Sequence, residues 1–373
     1  MKRNTQTKKR WVVKIGSALL TNDGQGLDTK YLSLWAAQIA QLMGQGIDIV
    51  LVSSGAVAAG MTRLSWAERP VLMSELQAAA AVGQSGLIRA WEDAFKDQDI
   101  LIGQILLDND DLSNRQRYLN ARSTVATLLD HGVLPVINEN DTVVTDEIRF
   151  GDNDTLAGLV ANLVNADQLV LLTDQLGLYS ADPRNNADAE LIKTASANDD
   201  SLLAFAGATG GGLGRGGMQT KIKAAKLAAR SGTDTFIASG RADNILLKLA
   251  SNRAVGTRLS ADQAPVVARK QWLAGQLKAK GELILDDGAV DSLKTRGRSL
   301  LAVGVVATAG SYQRGDLVRC VSMEGVELAR GLVNYSSQDV ALIKGCASDR
   351  YQSLLGFVDG DELIHRDNLV LID

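Results

Sequence analysis

Cysteine and histidine are scarce in this chain, which has two of each in 373 residues. Cys320 and Cys346 form no C-x-x-C pair, and His131 and His365 lie far apart in sequence. A disulfide framework and a structural zinc site are therefore not expected. The sequence names no protein ligand for any metal, so the ligands of a metal ion are unknown at this stage.

Long hydrophobic runs are missing as well. No stretch reaches the roughly 18 apolar residues that a membrane span requires, because Gly, Asp or Lys interrupts each candidate. Five of the first ten residues are Lys or Arg, but the apolar segment that follows contains Lys14 and Gly16. Residues 1–10 are therefore predicted to be a basic N-terminal tail rather than a signal peptide. We expect a cytoplasmic protein with no membrane partner.

A strong excess of positive charge is also absent. The net charge of −4 and the pI of about 5.4 argue against a protein devoted to coating nucleic acid. Two nucleotide-binding signatures are missing too, because G-x-x-x-x-G-K-[ST] does not occur and no G-x-G-x-x-G opens the first strand-to-helix turn. These absences exclude a P-loop and a dinucleotide-binding fold of the usual kind.

What the chain does have is a regular alternation of apolar strands and helices. Its 46% hydrophobic content is enough for the cores of two or three domains. Segments with helical spacing separate the near-continuous apolar runs, which lie at residues 11–15, 47–52, 100–107, 133–137, 169–172 and 235–238. This alternation predicts an α/β fold with a mostly parallel sheet that helices cover on both faces.

The pattern changes after Asn252. Residues 253–280 show little periodicity and are predicted to be a linker, which leaves residues 11–252 as the α/β domain. From residue 281 to residue 373, short β-type runs are separated by turns such as Asp286-Asp287-Gly288 and Glu324-Gly325. A small barrel-like β domain is predicted for this region.

A polar loop follows the apolar run 133–137. Its candidate ligand-binding residues are Asn138, Asn140, Asp141, Asp152, Asn153 and Asp154. In open α/β sheets ligands bind beyond the carboxyl ends of the strands, and amides beside carboxylates suit a small zwitterionic ligand. The same residue types also form turns and cap helices. The loop by itself does not decide between these two interpretations.

Two lysines accompany glycine segments. Lys14 ends the run 11–15 and precedes Gly16-Ser17, where the backbone can approach a ligand closely. Residues 207–217 include seven glycines, and Lys221 follows them at the start of a helical segment. Backbone N–H groups and the helix dipole attract anions at such a place. A phosphate site is predicted here, although a lysine at a strand end can also simply extend to solvent and a glycine-rich loop can carry no ligand.

Six segments resemble, in order and at similar separations, motifs of the glutamate 5-kinases. They are VVKIGSALL (12–20), VSSGAVAAG (52–60), PVINENDTV (135–143), GDNDTLAG (151–158), LLTDQLGLYSADPR (171–184) and GRGGMQTKIKAA (214–225). The segments RKQWLAG (269–275) and GELILDDGAVDSLKTRGRSLLAVGV (281–305) resemble the linker and the PUA domain of bacterial members. The resemblance covers nearly the whole chain beyond residue 11, and six motifs in register are highly specific.

This resemblance implies the amino acid kinase fold, an αβα sandwich, followed by a PUA domain. It implies ATP-dependent phosphorylation of the side-chain carboxylate of L-glutamate to L-glutamyl 5-phosphate, the first step of proline biosynthesis, with Mg²⁺ as cofactor. A carboxylate nucleophile is already ionised at neutral pH, so the reaction requires no general base. It does require cations and backbone dipoles around the transferred phosphoryl group.

The resemblance also assigns roles to individual residues. Lys14 and Lys221 match the phosphate-stabilising lysines, Asp154 matches the aspartate that holds them, and Asp152 matches an acidic residue near substrate and metal. The residues expected to bind glutamate are Ser54, Gly55, Asn138, Asp141 and Asn153. The residues expected to bind ATP are Lys14, Gly16, Ser17, Thr173, Asp174, Arg215, Gly216, Gly217, Met218, Gln219, Thr220 and Lys221. Mg²⁺ is expected to be held mainly by nucleotide phosphates and water.

The sequence departs from the family pattern in two places. Many relatives read K-x-G-T-S where this chain has Lys14-Ile15-Gly16-Ser17-Ala18. A hydroxyl contact from position 18 is therefore lost, and Ser17 must serve alone. Many relatives also have Thr where this chain has Arg215, whose side chain either adds a cation near the phosphates or projects into solvent.

Two alternatives remain open. A sister kinase of the same fold could act on acetylglutamate or aspartate, although the NEND and GDND segments and the appended β domain favour free glutamate. An RNA-binding or RNA-modifying role of the PUA-like domain is the other alternative, and the acidic total charge argues against it. The resemblance further implies inhibition by proline at or near the glutamate site and a homo-oligomer, either a dimer or a tetramer.

Overall fold

The computed structural model describes residues 8–21, 26–143, 153–205, 217–262 and 279–372. The chain divides into two compact units. The first comprises Met1–Ser113 and Asn120–Ala268, and the second comprises Asn114–Leu119 and Arg269–Asp373.

A single sheet of eight strands organises the described part of the first unit. The strands are β1 (Arg10–Ile15), β2 (Asp48–Ser53), β3 (Ile102–Leu107), β4 (Leu134–Glu139), β5 (Gln168–Thr173), β6 (Thr194–Ser196), β7 (Asp234–Ser239) and β8 (Thr257–Ser260). Their spatial order is β3-β4-β2-β1-β5-β7-β8-β6. From β3 to β7 every neighbouring pair is parallel, whereas β8 runs antiparallel to β7. The carboxyl ends of the central strands therefore lie along one edge of the sheet.

Burial explains why the central strands are apolar throughout. In β1, β2 and β5 the five residues after the first are all buried, and β4 is buried along its whole length. A parallel strand covered on both faces loses the alternation of apolar and polar residues. β3, at one end of the strand order, keeps exposed and half-buried positions.

Helices connect these strands. Those described in the first unit, together with α6, which spans both units, are α1 (Ser17–Leu20), α2 (Thr29–Gly44), α3 (Ala56–Arg63), α4 (Met73–Lys96), α5 (Asn109–Ser113), α6 (Arg115–Asp130), α7 (Asn153–Val164), α8 (Leu202–Phe205), α9 (Met218–Ala229) and α10 (Ile245–Ala250). Trp35 on α2 and Trp91 on α4 are fully buried in the core beside the sheet. Each indole N–H is satisfied there, because Trp35 donates to the Gly240 carbonyl oxygen at 3.0 Å and Trp91 donates to Ser53 Oγ at 2.9 Å.

Helices α3 and α4 are in direct backbone contact at two glycines. Where α3 meets α4, a Cβ at Gly60 would lie 1.7 Å from the Ala79 carbonyl oxygen, and a Cβ at Gly83 would lie 1.8 Å from that of Ala56. Neither position tolerates a side chain without separating the helices. These contacts hold α4 against the segment that follows β2.

The second unit contains a smaller sheet of five strands within its described residues. They are β9 (Gly281–Leu285), β10 (Val305–Gly310), β11 (Leu317–Val321), β12 (Glu327–Leu332) and β13 (Leu369–Leu371), in the order β10-β9-β11-β12-β13. Only β9 and β11 pair in parallel, so the sheet is mostly antiparallel. The helices that accompany it in the described part are α11 (Asp287–Arg296), α12 (Ser337–Ile343) and α13 (Tyr351–Leu355). Tyr312, Tyr335 and Tyr351 are buried in its core.

The predicted α/β fold and mostly parallel sheet are confirmed, as is the small β unit after it. The run of small residues through Gly60 predicts a turn after β2, and this prediction is wrong, because residues 56–63 form α3. The sequence pattern also does not predict helices α11 to α13. Residues 257–260, inside the stretch predicted to be a linker, form strand β8. The domain boundaries themselves stay a prediction. Across the described residues, no helix is long and apolar enough to cross a membrane.

Candidate active site

The predicted site residues of the first unit gather at the carboxyl edge of the sheet. β1 has β2 on one side and β5 on the other, so the chain leaves neighbouring strands in different directions there, and such a point forms a crevice. The cleft at this place is lined by nine residues that the sequence singled out, namely Lys14, Gly16, Ser17, Ser54, Thr173, Asp174, Gly217, Met218 and Lys221.

The centre of the site is one carboxylate between two ammonium groups. Lys14 Nζ lies 2.6 Å from Asp154 Oδ1, and Lys221 Nζ lies 3.0 Å from Asp154 Oδ2. Asp154 is fully buried, while Lys14 and Lys221 are 4% and 5% exposed. Burial alone would raise the pKa of the Asp154 carboxyl, but the two ammonium groups outweigh it and hold this pKa well below its usual range. The three side chains together carry one net positive charge, which favours an anion in the cleft.

Local structure explains how residues so distant in sequence meet. Lys14 is on β1, Asp154 is in the first turn of α7, and Lys221 is in the first turn of α9. α7 and α9 pack closely at Gly158, where a Cβ would lie 2.7 Å from the Ala224 carbonyl oxygen. The close packing of these two helices keeps the Asp154 carboxylate within reach of the side chains that open α9.

Thr220 supports the same carboxylate. Its Oγ1 lies 2.7 Å from Asp154 Oδ2 and 2.7 Å from the carbonyl oxygen of Gly217, the N-cap residue of α9. A hydroxyl has one proton to donate, so the two oxygens share it. An anion bound at this place would face the positive end of the α9 helix dipole.

A second group of polar residues consists of amides and a hydroxyl. Asn153 Nδ2 donates to Ser54 Oγ and to Asn138 Oδ1, both at 2.9 Å. Asn138 and Asn153 are buried. Gly55 adopts a left-handed conformation with φ of 101°, which allows the chain to turn from β2 into α3 directly after Ser54. Ser54 Oγ lies there within hydrogen-bonding distance of the Asn153 amide.

Asp141 follows β4 in a turn and is partly buried. Burial raises the pKa of its carboxyl to about 6, against the opposing effect of the Arg69 guanidinium. A nearby cation, such as the ammonium group of a ligand, would lower this raised pKa and so stabilise the charged carboxylate.

Some predicted residues are not placed in the cleft. Asp152, Arg215 and Gly216 lie outside the described residues. Gln219 is exposed on the first turn of α9. The described residues that were predicted for the site but do not line the cleft are Gly55, Asn138, Asn140, Asp141, Asn153, Asp154, Gln219 and Thr220.

The cleft also includes residues that the sequence interpretation did not single out as site residues. Among them are Tyr179, Asp182, Pro183, Arg184 and Phe205. The first four belong to the segment LLTDQLGLYSADPR that runs on from the carboxyl end of β5, so their position after a central strand was a usable signal. Phe205 ends α8, and no local pattern marks it as a site residue.

Comparisons with known proteins agree with this arrangement. Residues 9–239 match the model of the amino acid kinase family, and residues 281–355 match that of the PUA domain. A glutamate 5-kinase of Stutzerimonas stutzeri is 60% identical over 364 residues, which cover 98% of each chain. One from Pseudomonas paraeruginosa is 59% identical with the same coverage. One from Hahella chejuensis is 58% identical over 98% of this chain and 94% of the relative.

A likeness to a solved structure is weaker. The UMP kinase from Bacillus anthracis has 16% sequence identity and a TM-score of 0.48, over 69% of this chain and 97% of that one, which supports no conclusion. The family match covers more than half of the chain, and the relatives are similar along nearly its whole length. The chain therefore belongs to the amino acid kinase family and, within it, to the glutamate 5-kinases with a C-terminal PUA domain.

Proposed function

We propose that this chain transfers the γ-phosphoryl group of ATP to the side-chain carboxylate of L-glutamate. The product is L-glutamyl 5-phosphate, and the reaction is the first step of proline biosynthesis. The observation that carries the proposal is the buried Asp154 carboxylate, which binds the ammonium groups of Lys14 and Lys221, two lysines that line one cleft.

The role of the two lysines is to stabilise the negative charge of the transferred phosphoryl group. In a loose transition state, negative charge spreads over the oxygens of the transferred group and the leaving phosphate. Lys14 and Lys221 would neutralise that charge from fixed positions, because Asp154 orients both and water cannot easily reach them. Asp154 itself is a positioning residue in this scheme, since its two oxygens are already bound to the lysines.

The nucleotide occupies the part of the cleft between β1, β5 and α9. Gly16 and Ser17 at the end of β1 approach the phosphates, together with Gly217, Met218 and the N-terminal turn of α9. Thr173 ends β5 and Asp174 follows it, and the segment after them continues along the cleft wall. This segment contributes Tyr179, Asp182, Pro183 and Arg184, which we assign to the nucleotide side of the cleft.

Glutamate binds beside Ser54, Gly55, Asn138, Asp141 and Asn153. Its own side-chain carboxylate is the nucleophile and is ionised at neutral pH, so no residue has to remove a proton from it. What the chain provides is orientation of the carboxylate toward the phosphorus and exclusion of water. The Asp141 carboxylate is suited to the substrate ammonium group.

Mg²⁺ is part of the proposal as a companion of ATP. Within the described residues, no three His, Cys, Asp or Glu side chains converge on one point. This donor set fits an ion held mainly by phosphate oxygens and water rather than by a protein cage. The bound ion would neutralise phosphate charge and orient the phosphates.

A substrate screen tests the assignment. ADP release is measured from purified protein with ATP, Mg²⁺ and either L-glutamate, L-aspartate, acetylglutamate or no acceptor. Turnover that depends on L-glutamate is the expected result. Equal turnover without any acceptor, or a clear preference for acetylglutamate or aspartate, would overturn it.

Two further properties belong to the same proposal. We expect proline to inhibit by occupying or overlapping the glutamate subsite, so its effect should weaken as glutamate concentration rises. We also expect a homo-oligomer, to be measured by light scattering of the full chain. Proline inhibition that does not depend on glutamate concentration would contradict the expected overlap of the two sites. A monomer at the assay concentration would contradict the expected homo-oligomer.

A further inference from the structure

A chain of three amide side chains connects helix α4 with the Ser54 hydroxyl. Asn138 Nδ2 donates to Gln84 Oε1 at 2.7 Å, and Asn153 Nδ2 donates to Asn138 Oδ1 at 2.9 Å. Asn153 Nδ2 also donates to Ser54 Oγ at 2.9 Å. Gln84 is therefore the far end of a hydrogen-bonded series that reaches the residues assigned to glutamate binding.

The series has a direction. A side-chain amide has a donor end and an acceptor end, and Asn138 and Asn153 are 1% and 8% exposed, so neither can satisfy its groups with bulk water instead. Since Gln84 presents its oxygen, Asn138 must present nitrogen to Gln84 and oxygen to Asn153. Asn153 in turn presents its nitrogen to Asn138 and Ser54.

This direction determines what the site offers to a ligand. Asn153 Oδ1 is buried and has no hydrogen-bond partner among the described residues. Ser54 Oγ accepts from Asn153, so its hydroxyl proton can be donated to a ligand. The Asn153 side chain thus keeps an acceptor without a partner among the described residues, and Ser54, which lines the cleft, keeps a proton to donate. This acceptor and this donor match the ammonium and the carboxylate of an α-amino acid, which are a donor and an acceptor.

The position of Gln84 is fixed by the scaffold. The preceding residue, Gly83, is in backbone contact with Ala56 of α3. Two turns further along α4, Trp91 Nε1 donates to Ser53 Oγ at 2.9 Å. Helix α4 is therefore attached on both sides of Gln84 to the segment that carries Ser54.

We propose that Gln84 is a positioning residue that sets the orientation of the Asn138 and Asn153 amides, and through them the recognition of the amino acid end of the substrate. Gln84 acts through Asn138. The inference rests on the proposed function, since it concerns the glutamate subsite of that reaction. If the Gln84 amide were reversed, Asn153 would present nitrogen to the ligand and repel an ammonium group.

Substitutions of Gln84 test whether its acceptor oxygen sets the orientation of the Asn138 and Asn153 amides. Gln84→Met keeps the length of the side chain but removes the acceptor, whereas Gln84→Glu keeps an acceptor and removes the donor. For Gln84→Met we expect KM for glutamate to rise about tenfold, with KM for ATP within twofold of the parent value. For Gln84→Glu we expect KM for glutamate to stay within about threefold. Gln98→Met, at an exposed position just after α4, is the matched control and should change neither constant.

A double substitution tests the route of the effect. If Gln84 acts through Asn138, then Gln84→Met added to Asn138→Ala should change KM for glutamate by less than twofold. Multiplication of the two single effects would overturn the proposal. An equal KM for glutamate in Gln84→Met and Gln84→Glu would also overturn it, as would a rise in KM for ATP that matches the rise in KM for glutamate. Thermal unfolding of each variant identifies any that is misfolded, and Gln84→Ser then replaces Gln84→Met.

Failure of this inference differs from failure of the proposed function. The parent chain is assayed first for ADP release that depends on glutamate. If that release is seen, the proposed function stands whatever Gln84 does. If it is not seen, the proposed function fails, and the inference about the glutamate subsite fails with it.

Discussion

Gly158 on α7 and Ala224 on α9 touch with no side chain between them. A Cβ at Gly158 would lie 2.7 Å from the Ala224 carbonyl oxygen and 3.1 Å from the Ala224 Cα. This contact lies one turn beyond Asp154 on α7 and one turn beyond Lys221 on α9. The distance between the two helices therefore sets the distance between the carboxylate and the lysine.

Gly158→Ala should push α7 and α9 apart. We expect a loss of about 1–3 kcal/mol in the free energy of unfolding, since backbone has to shift, and a fall in kcat larger than any change in KM for glutamate. Urea unfolding and steady-state kinetics measure the two effects. Gly44→Ala is the control, because no atom lies within 4 Å of a Cβ at Gly44, and it should be neutral or slightly stabilising. Unchanged kcat in Gly158→Ala would contradict the role of this contact.

Lys221→Ala should act on the chemical step. Removing an ammonium group that is aimed at developing phosphoryl charge is expected to lower kcat on the order of 10²- to 10³-fold, with a smaller change in KM for ATP. Lys223→Ala removes an exposed lysine two residues away and should leave kcat within twofold. A Lys221→Ala enzyme with normal kcat and raised KM would show that this lysine binds ATP without serving the transition state.

Asp154→Asn should destabilise the protein. It leaves two buried ammonium groups without a counter-charge, and such a loss costs about 3–5 kcal/mol at neutral pH. In the parent chain the pKa of Asp154 is depressed, so its contribution to stability is complete above the unfolded-state pKa of about 3.9 and is lost as pH falls below it. The difference between parent and variant in urea unfolding should therefore shrink between pH 5 and pH 3. A difference that does not depend on pH would argue against this ion pair as its source.

Glutamate binding should weaken in mild acid. Burial raises the pKa of Asp141 to about 6, so the carboxylate that would hold the substrate ammonium group is progressively protonated below that pH. We expect KM for glutamate to rise as pH falls from 7 to 5, while KM for ATP changes little. Asp141→Asn should have a high KM for glutamate that no longer varies over this range. A parent profile that is flat through pH 6 would remove Asp141 from the proposed subsite.

Asp141→Asn should weaken glutamate binding but stabilise the ligand-free protein at neutral pH. Because the folded-state pKa of Asp141 is raised, the contribution of its protonated form is present at low pH and is lost as pH rises through about 6. The free protein should therefore gain stability at pH 7.5 from Asp141→Asn, but not at pH 4.5. Thermal unfolding without ligand at the two pH values measures this, and a loss at pH 7.5 would contradict it.

Much of the site could be predicted from sequence because it is built on strand ends. Lys14, Ser54, Asn138 and Thr173 each lie at or directly after the carboxyl end of an apolar strand, and parallel pairing brings those ends to one edge. Lys221 could be predicted because a glycine-rich stretch leads into its helix. Asp154 is a candidate from its polar loop and takes its role from the family motif, but its buried contact with both lysines appears only in the fold.

What sequence could not predict depends on packing between distant segments. Gln84 is one polar residue in an Ala-rich helix, and nothing in the helix marks it as the partner of Asn138, 54 residues further along the chain. α3 reads as a turn because its small residues have little apolar bulk, yet small residues are what allow the backbone of α4 to touch it. Phe205 reaches the cleft through tertiary structure alone.

Helices α3 and α4 meet at Gly60 and Gly83 with no layer of side chains between them. Side chains at most helix crossings can change rotamer and so absorb a small displacement, but here there are none to do so. A shift of α4 would pass undiminished to Ser54. Mutations in the interior of α4, far from any ligand, should therefore change the selectivity among amino acid substrates before they change other properties of the enzyme.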